Sequence, residues 1–135
     1  MKNYHLFLDD MRMPNHVTWV KLPENVEWII VKNYKQFVEV INKLGLPKYI
    51  AFDHDLGEEH YNNFVINEQG ELSIDYSQFK EQTGYDCAKW LVEYCRNKDF
   101  DIPQYAVHSM SVIGKENIIQ YLENYKLWKT QFKSS

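Results

Sequence analysis

The stretches LFLDD at residues 6–10 and AFDHDLG at residues 51–57 decide how this chain folds. Each is an apolar run that ends abruptly in acidic residues, which predicts a buried strand with carboxylates at its carboxyl end. A third run, QYAVHSM at residues 104–110, ends in His108 and Ser109 in the same way. In an open parallel sheet, ligands bind in the crevice outside the carboxyl ends of the strands. The three runs therefore predict a functional site at one edge of a sheet.

Predicted strands and helices alternate along the rest of the chain. Strands are predicted at residues 5–10, 27–32, 49–56 and 104–108, and helices at residues 34–44, from 83 onward, and at about 114–132. Asn33 and Thr83 are the expected N-caps, and Thr83 forms a T-x-x-D capping pattern with Asp86. The order predicts an α/β fold of three layers, in which a mostly parallel sheet of about four strands is covered on both faces.

Two segments interrupt this alternation. Between the first two strands, Pro14 and Pro23 disfavour a long helix, so a loop is predicted there. After the third strand, an insertion at about residues 58–82 contains FVINEQGELSIDY, whose alternation around a Gly-containing turn predicts a β-hairpin. The insertion is either a lid or specificity loop beside the site or a solvated surface feature.

Length and composition fit a single cytoplasmic domain. The chain has 135 residues, close to the usual domain size, so we take residues 1–135 as one domain. No apolar run approaches the roughly 20 residues that span a bilayer, and the first apolar stretch is too short for a signal peptide. The formal net charge of −4 lacks the basic footprint that nonspecific binding of duplex DNA needs. A nucleotide or a single RNA end needs only a local site.

The acidic residues at the predicted strand ends are candidate metal ligands, namely Asp9, Asp10 and Asp53. Several carboxylates at one edge repel one another, and a hard divalent cation relieves that repulsion. Oxygen ligands suit Mg²⁺ or Mn²⁺. For any single aspartate the more common role is to cap a turn or a helix start. The metal interpretation therefore depends on several carboxylates meeting at one edge.

Histidines at the same edge are candidate acid–base groups. His108 and His54 carry imidazoles, which exchange protons near neutral pH and can share the general base and general acid roles. The alternative for each is a hydrogen-bonded structural imidazole. Asp55 either orients a histidine or contributes to the metal site.

A further set of residues is suited to holding a phosphate. Arg12 lies two residues beyond the acid pair and can clamp a phosphate bidentately, or else form an ion pair that tethers the acidic edge. Thr83 and Gly84 open a predicted helix, whose free N–H groups can face an anion. Ser109 and Lys115 flank the start of the last helix and offer a second anion-holding position, although an ordinary cap and a solvated lysine would look the same.

Four motifs, LFLDDMRMP, AFDHDLG, TGYD and VHSMSVIGKENI, together resemble the cyclic-phosphate-processing receiver-like domains, a family derived from response-regulator receivers. The resemblance implies a flavodoxin-like sheet with strand order 2-1-3-4. It matches Asp9 and Asp10 to the acid pair of receivers and Asp53 to their phosphoacceptor, with magnesium bound between them. Ser109 lies near the place of the receiver hydroxyl residue.

The chain also departs from ordinary receivers. A loop replaces the first helix, and the sequence after the fourth strand has neither a convincing fifth strand nor the lysine that ends it. The loss of that lysine argues against phosphoryl signalling, whereas His54, Asp55 and His108 argue for hydrolysis. Within the cyclic-phosphate family, Ser111 and Val112 stand where Asn-Pro is expected.

The resemblance implies a metal-dependent phosphoesterase that acts on a cyclic phosphate, such as a 2′,3′-cyclic RNA end or a cyclic nucleotide. Two alternatives stay open at this point. One is a catalytically inactive receiver-like module that binds a partner protein or a nucleotide. The other is a receiver that accepts a phosphoryl group on Asp53.

Overall fold

The computed structural model describes residues 3–56, 64–66, 72–74 and 83–133 of the chain. The strands are β1 His5–Leu8, β2 Trp28–Val31, β3 Tyr49–Phe52, β4 Phe64–Ile66, β5 Leu72–Ile74 and β6 Gln104–Val107. The helices are α1 Tyr34–Leu44, α2 Gly84–Lys98 and α3 Val112–Trp128. A 3₁₀ turn at Pro14–His16 lies between β1 and β2, and a π-helical turn at Lys129–Lys133 follows α3.

Four of the strands form one parallel sheet in the order β2-β1-β3-β6. Counted along the sheet's own strands, this is the order 2-1-3-4, so the flavodoxin-like prediction is confirmed. The register aligns Leu8 with Val31 and Phe52, and Phe52 with Val107. All four strands therefore end at the same level.

The predicted hairpin is present as two antiparallel strands. β4 and β5 pair with each other in a separate two-stranded sheet. The rest of the insertion at about residues 58–82, including the turn, lies outside the described residues, and so does its predicted role as a lid.

All three helices pack on one face of the parallel sheet. Strand residues at alternate positions point to that face and form one core with the inward residues of the helices. Fully buried members of this core are Leu6, Leu8, Ile50 and Phe52 from the sheet, with Phe37, Ile41, Leu91, Ile118 and Leu122 from the helices. In that layer α2 lies between α1 and α3, touching both.

The opposite face is covered by the loop between β1 and β2. Phe7 and Ala51 of the sheet pack against Val17, and Val20 and Leu22 of the same loop pack around them. The sheet has a layer on each face, as predicted, and the second layer is this loop. Because proline lacks an N–H group and clashes with the preceding turn, the loop holds only one short 3₁₀ turn.

All four predicted strands are too long at their carboxyl ends, three of them by one or two residues and the strand predicted at residues 49–56 by four. β1 ends at Leu8 because a side-chain oxygen of Asp9 accepts hydrogen bonds from the backbone N–H groups of Met11 and Arg12. β3 ends at Phe52 because Asp53 accepts from the N–H of His54. Aspartate side chains that bond to the backbone that follows them turn it out of the strand.

The predicted helix caps are confirmed. Asn33 accepts a hydrogen bond from the N–H of Gln36 at 2.9 Å, and Thr83 forms a reciprocal capping box with Asp86. The last helix begins earlier than predicted, at Val112, because the side chain of Ser111 caps it. Both cysteines are buried in the core as free thiols. None of the helices in the described part of the chain has the length and apolar character needed to span a membrane.

Candidate functional site

A row of three buried polar side chains lies at the level where the sheet ends. Asp9, Asp53 and His108 are each the first residue after a strand, and their N–H groups donate to Val31, Leu8 and Phe52 at 2.9 to 3.0 Å. These bonds extend the hydrogen-bond pattern of the sheet by one residue. The backbones of neighbouring members of the row therefore stay about 4.8 Å apart. One potential ligating atom of each side chain lies within 4.8 Å of those of the other two.

Asp9 is the member of the row with the most hydrogen bonds. One of its oxygens accepts from Met11 and Arg12, and the other lies 3.0 Å from Nε2 of His108. Burial by itself would raise the pKa of Asp9, but the bonds from His108 and from the two amides outweigh burial, so the pKa lies below its ordinary value. Asp9 is therefore an anion at neutral pH.

Asp53 lies at the centre of the row, where its surroundings disfavour the charged form of its carboxyl group. Its side chain is 3% exposed and accepts one hydrogen bond from the N–H of His54. Burial, and after it the negative charges of Asp9 and Asp55, raise the pKa of Asp53 to about 8. A cation at this position would relieve the repulsion between the carboxylates.

Asp10 lies at the rim of the row and is not part of the group whose ligating atoms lie within 4.8 Å of one another. Its side chain is half-buried, and burial together with the charge of Asp9 raises its pKa. Adjacent residues leave a strand in opposite directions. Only the first of the predicted acid pair thus enters the row.

Phe7 and Trp19 hold the ring and the backbone of His108 in place. Its ring is fully buried and stacks on Phe7, with 4.7 Å between ring centroids and 2° between planes. Ala51 and Ala106 lie in register beside Phe7 across the sheet, and their small side chains leave room for the stacked rings. The indole N–H of Trp19 donates to the carbonyl oxygen of His108 at 2.8 Å.

One ring nitrogen of His108 is buried without a hydrogen-bond partner in the described structure. Nε2 bonds to Asp9, whereas Nδ1 makes no such bond. Leaving a buried polar atom unpaired is unfavourable, and native proteins contain few of them. The unpaired nitrogen therefore distinguishes His108 from a structural histidine with both ring nitrogens satisfied.

His54 lies outside the row, so its share in the acid–base chemistry stays a prediction. The ring is fully buried, and its Nδ1 lies 2.8 Å from a carboxylate oxygen of Asp55. A Cβ at Gly114 in α3 would overlap the ring, so the imidazole packs directly on the helix backbone. Of the two interpretations of Asp55, the structure favours the one in which it orients a histidine.

Arg12 has the tethering contact that the sequence predicted as one alternative. Its guanidinium lies 3.6 Å from Asp9 and 5.2 Å from the centre of the Trp19 ring. The side chain is 35% exposed. Arg12 thus borders the row with part of its side chain open to solvent.

The N–H groups at the start of α2 already donate hydrogen bonds, so the premise of free N–H groups is wrong, and the substrate-binding role of Thr83 and Gly84 stays a prediction. The N–H of Gly84 donates to the carbonyl of His54 at 2.9 Å, and the next two amides, of Tyr85 and Asp86, donate to the hydroxyl of Thr83. A Cβ at Gly84 would overlap the carbonyl oxygen of Asp53. The glycine lets α2 approach the end of β3 closely.

Ser109 and Lys115 have different positions. Ser109 is buried next to His108 in the chain, and its hydroxyl accepts from the N–H of Ser111 at 3.0 Å. Lys115 lines a groove beside β6, together with Val107 and Ile119. No contact in the described part of the chain joins Lys115 to the carboxylates, so the structure brings Ser109 to the site but not Lys115.

Trp19 was not predicted from the sequence. It lies in a loop without periodicity, so no pattern indicates that its indole reaches the end of β6. Phe7 was predicted only as a core residue of the first strand. Its stacking on His108 depends on the strand order, which places β1 and β6 on either side of β3.

Comparison with known proteins gave one match. A family model described as "Cyclic-phosphate processing Receiver domain" matches residues 4–124. The matched range contains the parallel sheet, the helical layer and the row of Asp9, Asp53 and His108. No curated protein and no solved structure matches the chain.

Proposed function

The chain belongs to the cyclic-phosphate processing receiver domain family, and from this we propose that it is a metal-dependent phosphoesterase that opens a cyclic phosphate by hydrolysis. The observation that carries the proposal is the row of Asp9, Asp53 and His108, three buried polar groups at the ends of three adjacent strands. The proposed substrate is a 2′,3′-cyclic RNA end or a cyclic nucleotide.

The carboxylates fit a hard divalent cation. Asp9 and Asp53 in the row, with Asp10 at its rim, supply the oxygen ligands that suit Mg²⁺ or Mn²⁺. The raised pKa values of Asp53 and Asp10 reflect negative charge that is crowded and partly removed from water. When bound, such an ion polarises a phosphoryl oxygen and offsets the charge that develops during attack.

His108 is the proposed general base. Its hydrogen bond to the anionic Asp9 orients the ring and occupies Nε2, which leaves Nδ1 as the nitrogen proposed to accept a proton. A water molecule loses a proton to His108 and attacks phosphorus, and the bond from phosphorus to one ribose oxygen breaks. That oxygen takes the proton back from His108, so one phosphate monoester forms for each water consumed.

Arg12 is proposed to hold the phosphate. Its guanidinium carries a permanent charge beside Asp9, and its side chain is partly open to solvent. Arginine binds phosphate oxygens through two parallel N–H bonds, which fixes orientation as well as charge. The exposed part of Arg12 is therefore suited to a non-bridging oxygen of the substrate.

The proposal is tested by hydrolysis of 2′,3′-cyclic nucleotides and of bis-p-nitrophenyl phosphate, each with Mg²⁺, with Mn²⁺ and with a chelator. We expect turnover only with metal. His108→Gln, which keeps most of the side-chain volume, should lower kcat by about 100-fold or more. The matched control is His16→Gln, because His16 is exposed in the loop after β1 and makes no contact with the row.

Each of the other possible results would count against the proposal or favour one of its two alternatives. Unchanged turnover in His108→Gln would remove His108 from the mechanism. No turnover with any metal would favour the inactive binding module. Incubation with acetyl phosphate followed by intact mass would detect a phosphoryl group on Asp53, and a stable adduct that Asp53→Asn abolishes would favour the phosphoacceptor.

A further inference from the structure

A cleft in the loop between β1 and β2 forms a second candidate site beside the row. Its volume is about 870 Å³, which lies in the range of small-molecule pockets. Apolar and aromatic residues make up much of the lining, including Pro14, Val17, Trp19, Leu22, Pro23 and Trp28. We propose that this cleft binds the nucleobase of the substrate, an inference that rests on the proposed phosphoesterase function.

The lining has the chemistry that binds planar heterocycles. Two indole rings, those of Trp19 and Trp28, border the cleft, and the Trp19 side chain is 42% exposed. Every base has a π-face, and aromatic side chains bind bases by stacking regardless of sequence. Exposed polar residues at the same cleft, such as Thr18 and Asn25, are of the type that hydrogen-bonds to base edges.

Trp19 joins the cleft to the row. Its indole N–H donates to the carbonyl oxygen of His108, and its ring carries the guanidinium of Arg12, which also contacts Asp9. A ligand with its phosphate at Arg12 and the row therefore has an aromatic wall next to the phosphate position. A base that is attached to the phosphate through a ribose fits this arrangement, because the ribose keeps the aromatic ring of the base close to the phosphate.

Charge favours a single nucleotide over a long nucleic acid. The chain has a formal net charge of −4, and the cations of this region are Arg12 beside the row and Lys21 in the cleft. Two cations match one phosphate better than a polyanion, whose binding scales with the number of neutralised phosphates. The inferred ligand is thus a nucleotide, or the terminal nucleotide of an RNA, with its base in the cleft.

The first test compares two cyclic phosphates that differ in the base. We expect Trp28→Leu to lower the ratio of kcat/KM for adenosine 2′,3′-cyclic phosphate to that for glycerol 1,2-cyclic phosphate by about 10-fold, because the stacking partner is lost. The control is Trp128→Leu, since Trp128 lies at the end of α3 and stacks on Tyr125. An unchanged ratio in Trp28→Leu would overturn the inference and leave the phosphoesterase proposal standing.

The second test needs neither turnover nor a variant. Tryptophan fluorescence of the unmodified protein should change on titration with adenosine 3′-monophosphate and not with glycerol phosphate. If the protein hydrolyses neither cyclic phosphate, the proposed function fails, and this titration alone then decides whether the cleft binds a nucleobase. Equal responses to the two phosphates would overturn nucleobase binding.

Discussion

Asp53 and Asp9 occupy equivalent positions after neighbouring strands, yet their surroundings push their pKa values in opposite directions. Asp9 accepts hydrogen bonds from two amides and from His108, which stabilise its charge. Asp53 accepts one amide hydrogen bond and lies beside Asp9, so its charged form is disfavoured. Burial and the neighbouring charge of Asp9 therefore disfavour the charged form of Asp53, whereas hydrogen bonds favour that of Asp9.

This difference predicts how the stability of the metal-free protein depends on pH. The pKa of Asp53 is about 8 in the fold against an ordinary 3.8, so its protonated form is bound more tightly in the folded state. The stability that Asp53 contributes is complete below pH 4 and is lost as the pH rises toward 8. The slope of the unfolding free energy over this range, measured with urea, should flatten in Asp53→Asn.

The control for that slope is Asp101→Asn, because Asp101 is an exposed carboxylate that precedes β6, whereas His108 follows the other end of that strand. It should leave the pH dependence as in the unmodified protein. An equal slope in Asp53→Asn and in the unmodified protein would show that Asp53 ionises freely in the fold.

Arg12 carries a prediction about substrate affinity. Arg12→Ala removes the charge proposed to hold a phosphate oxygen and should raise KM for a 2′,3′-cyclic nucleotide by about 10-fold or more, the effect of a charged hydrogen bond. Arg96→Ala is the matched control, because Arg96 is an exposed arginine on α2 that pairs with Glu93. Steady-state kinetics that show equal KM values for the two variants would contradict the assignment of Arg12.

At the scale of elements, two helices touch the residues that follow β3. Gly84 opens α2 against the carbonyl of Asp53, and Gly114 in α3 lies against the ring of His54. Neither position has space for a Cβ. The helical layer therefore fixes the backbone on which Asp53 is placed.

Gly114→Ala tests this packing. The added methyl group would overlap the buried His54 ring and should lower the free energy of unfolding by about 1–3 kcal/mol, the usual penalty of overpacking. Val112→Ala, at an exposed position of the same helix, is the control. A stabilised Gly114→Ala, which helix propensity alone would give, would show that the ring moves aside freely.

The cap of α2 gives a further prediction at this scale. Thr83→Ala removes a hydroxyl that accepts from two amides and should destabilise the fold by about 1 kcal/mol in urea unfolding. Asn33→Ala, which removes the cap of α1, should have an effect of similar size. Because Thr83 has this role in the helix, Thr83→Ser should restore most of the loss, and a failure of serine to do so would contradict it.

Local patterns predicted these elements because their causes are local. An apolar run followed by Asp indicates a strand end, and T-x-x-D indicates a capping box, since both depend on bonds within a few residues. β3 is shorter than predicted because the side chain of Asp53 turns the backbone out of the strand. The packing of His54 against Gly114 joins segments that are far apart in the sequence, so no local pattern predicts it.

At the scale of the whole molecule, the sheet has helices on one face and a loop on the other. Strand order and the site at the sheet edge were predictable, because parallel strands bring their carboxyl ends together. That the loop between β1 and β2 covers a whole sheet face was not predicted, although its two prolines indicated that it is not a helix. The same loop supplies Arg12 and Trp19, so it links the covering layer to the proposed chemistry.

The arrangement explains why the row lies where it does. Asp9, Asp53 and His108 point to the face covered by the loop, two residues beyond Phe7, Ala51 and Ala106 along their strands. The loop side offers openings such as the cleft beside Trp19, whereas the helical side is a continuous core. We therefore expect the proposed substrate to reach the row from the loop side.

A calorimetric titration with Mn²⁺ tests most directly whether the three strand ends form a cation site. The unmodified protein should bind one ion per chain, Asp53→Asn should bind it at least about 10-fold more weakly, and Asp101→Asn should match the unmodified protein. Absence of binding to the unmodified protein, or equal affinity in Asp53→Asn, would contradict the account.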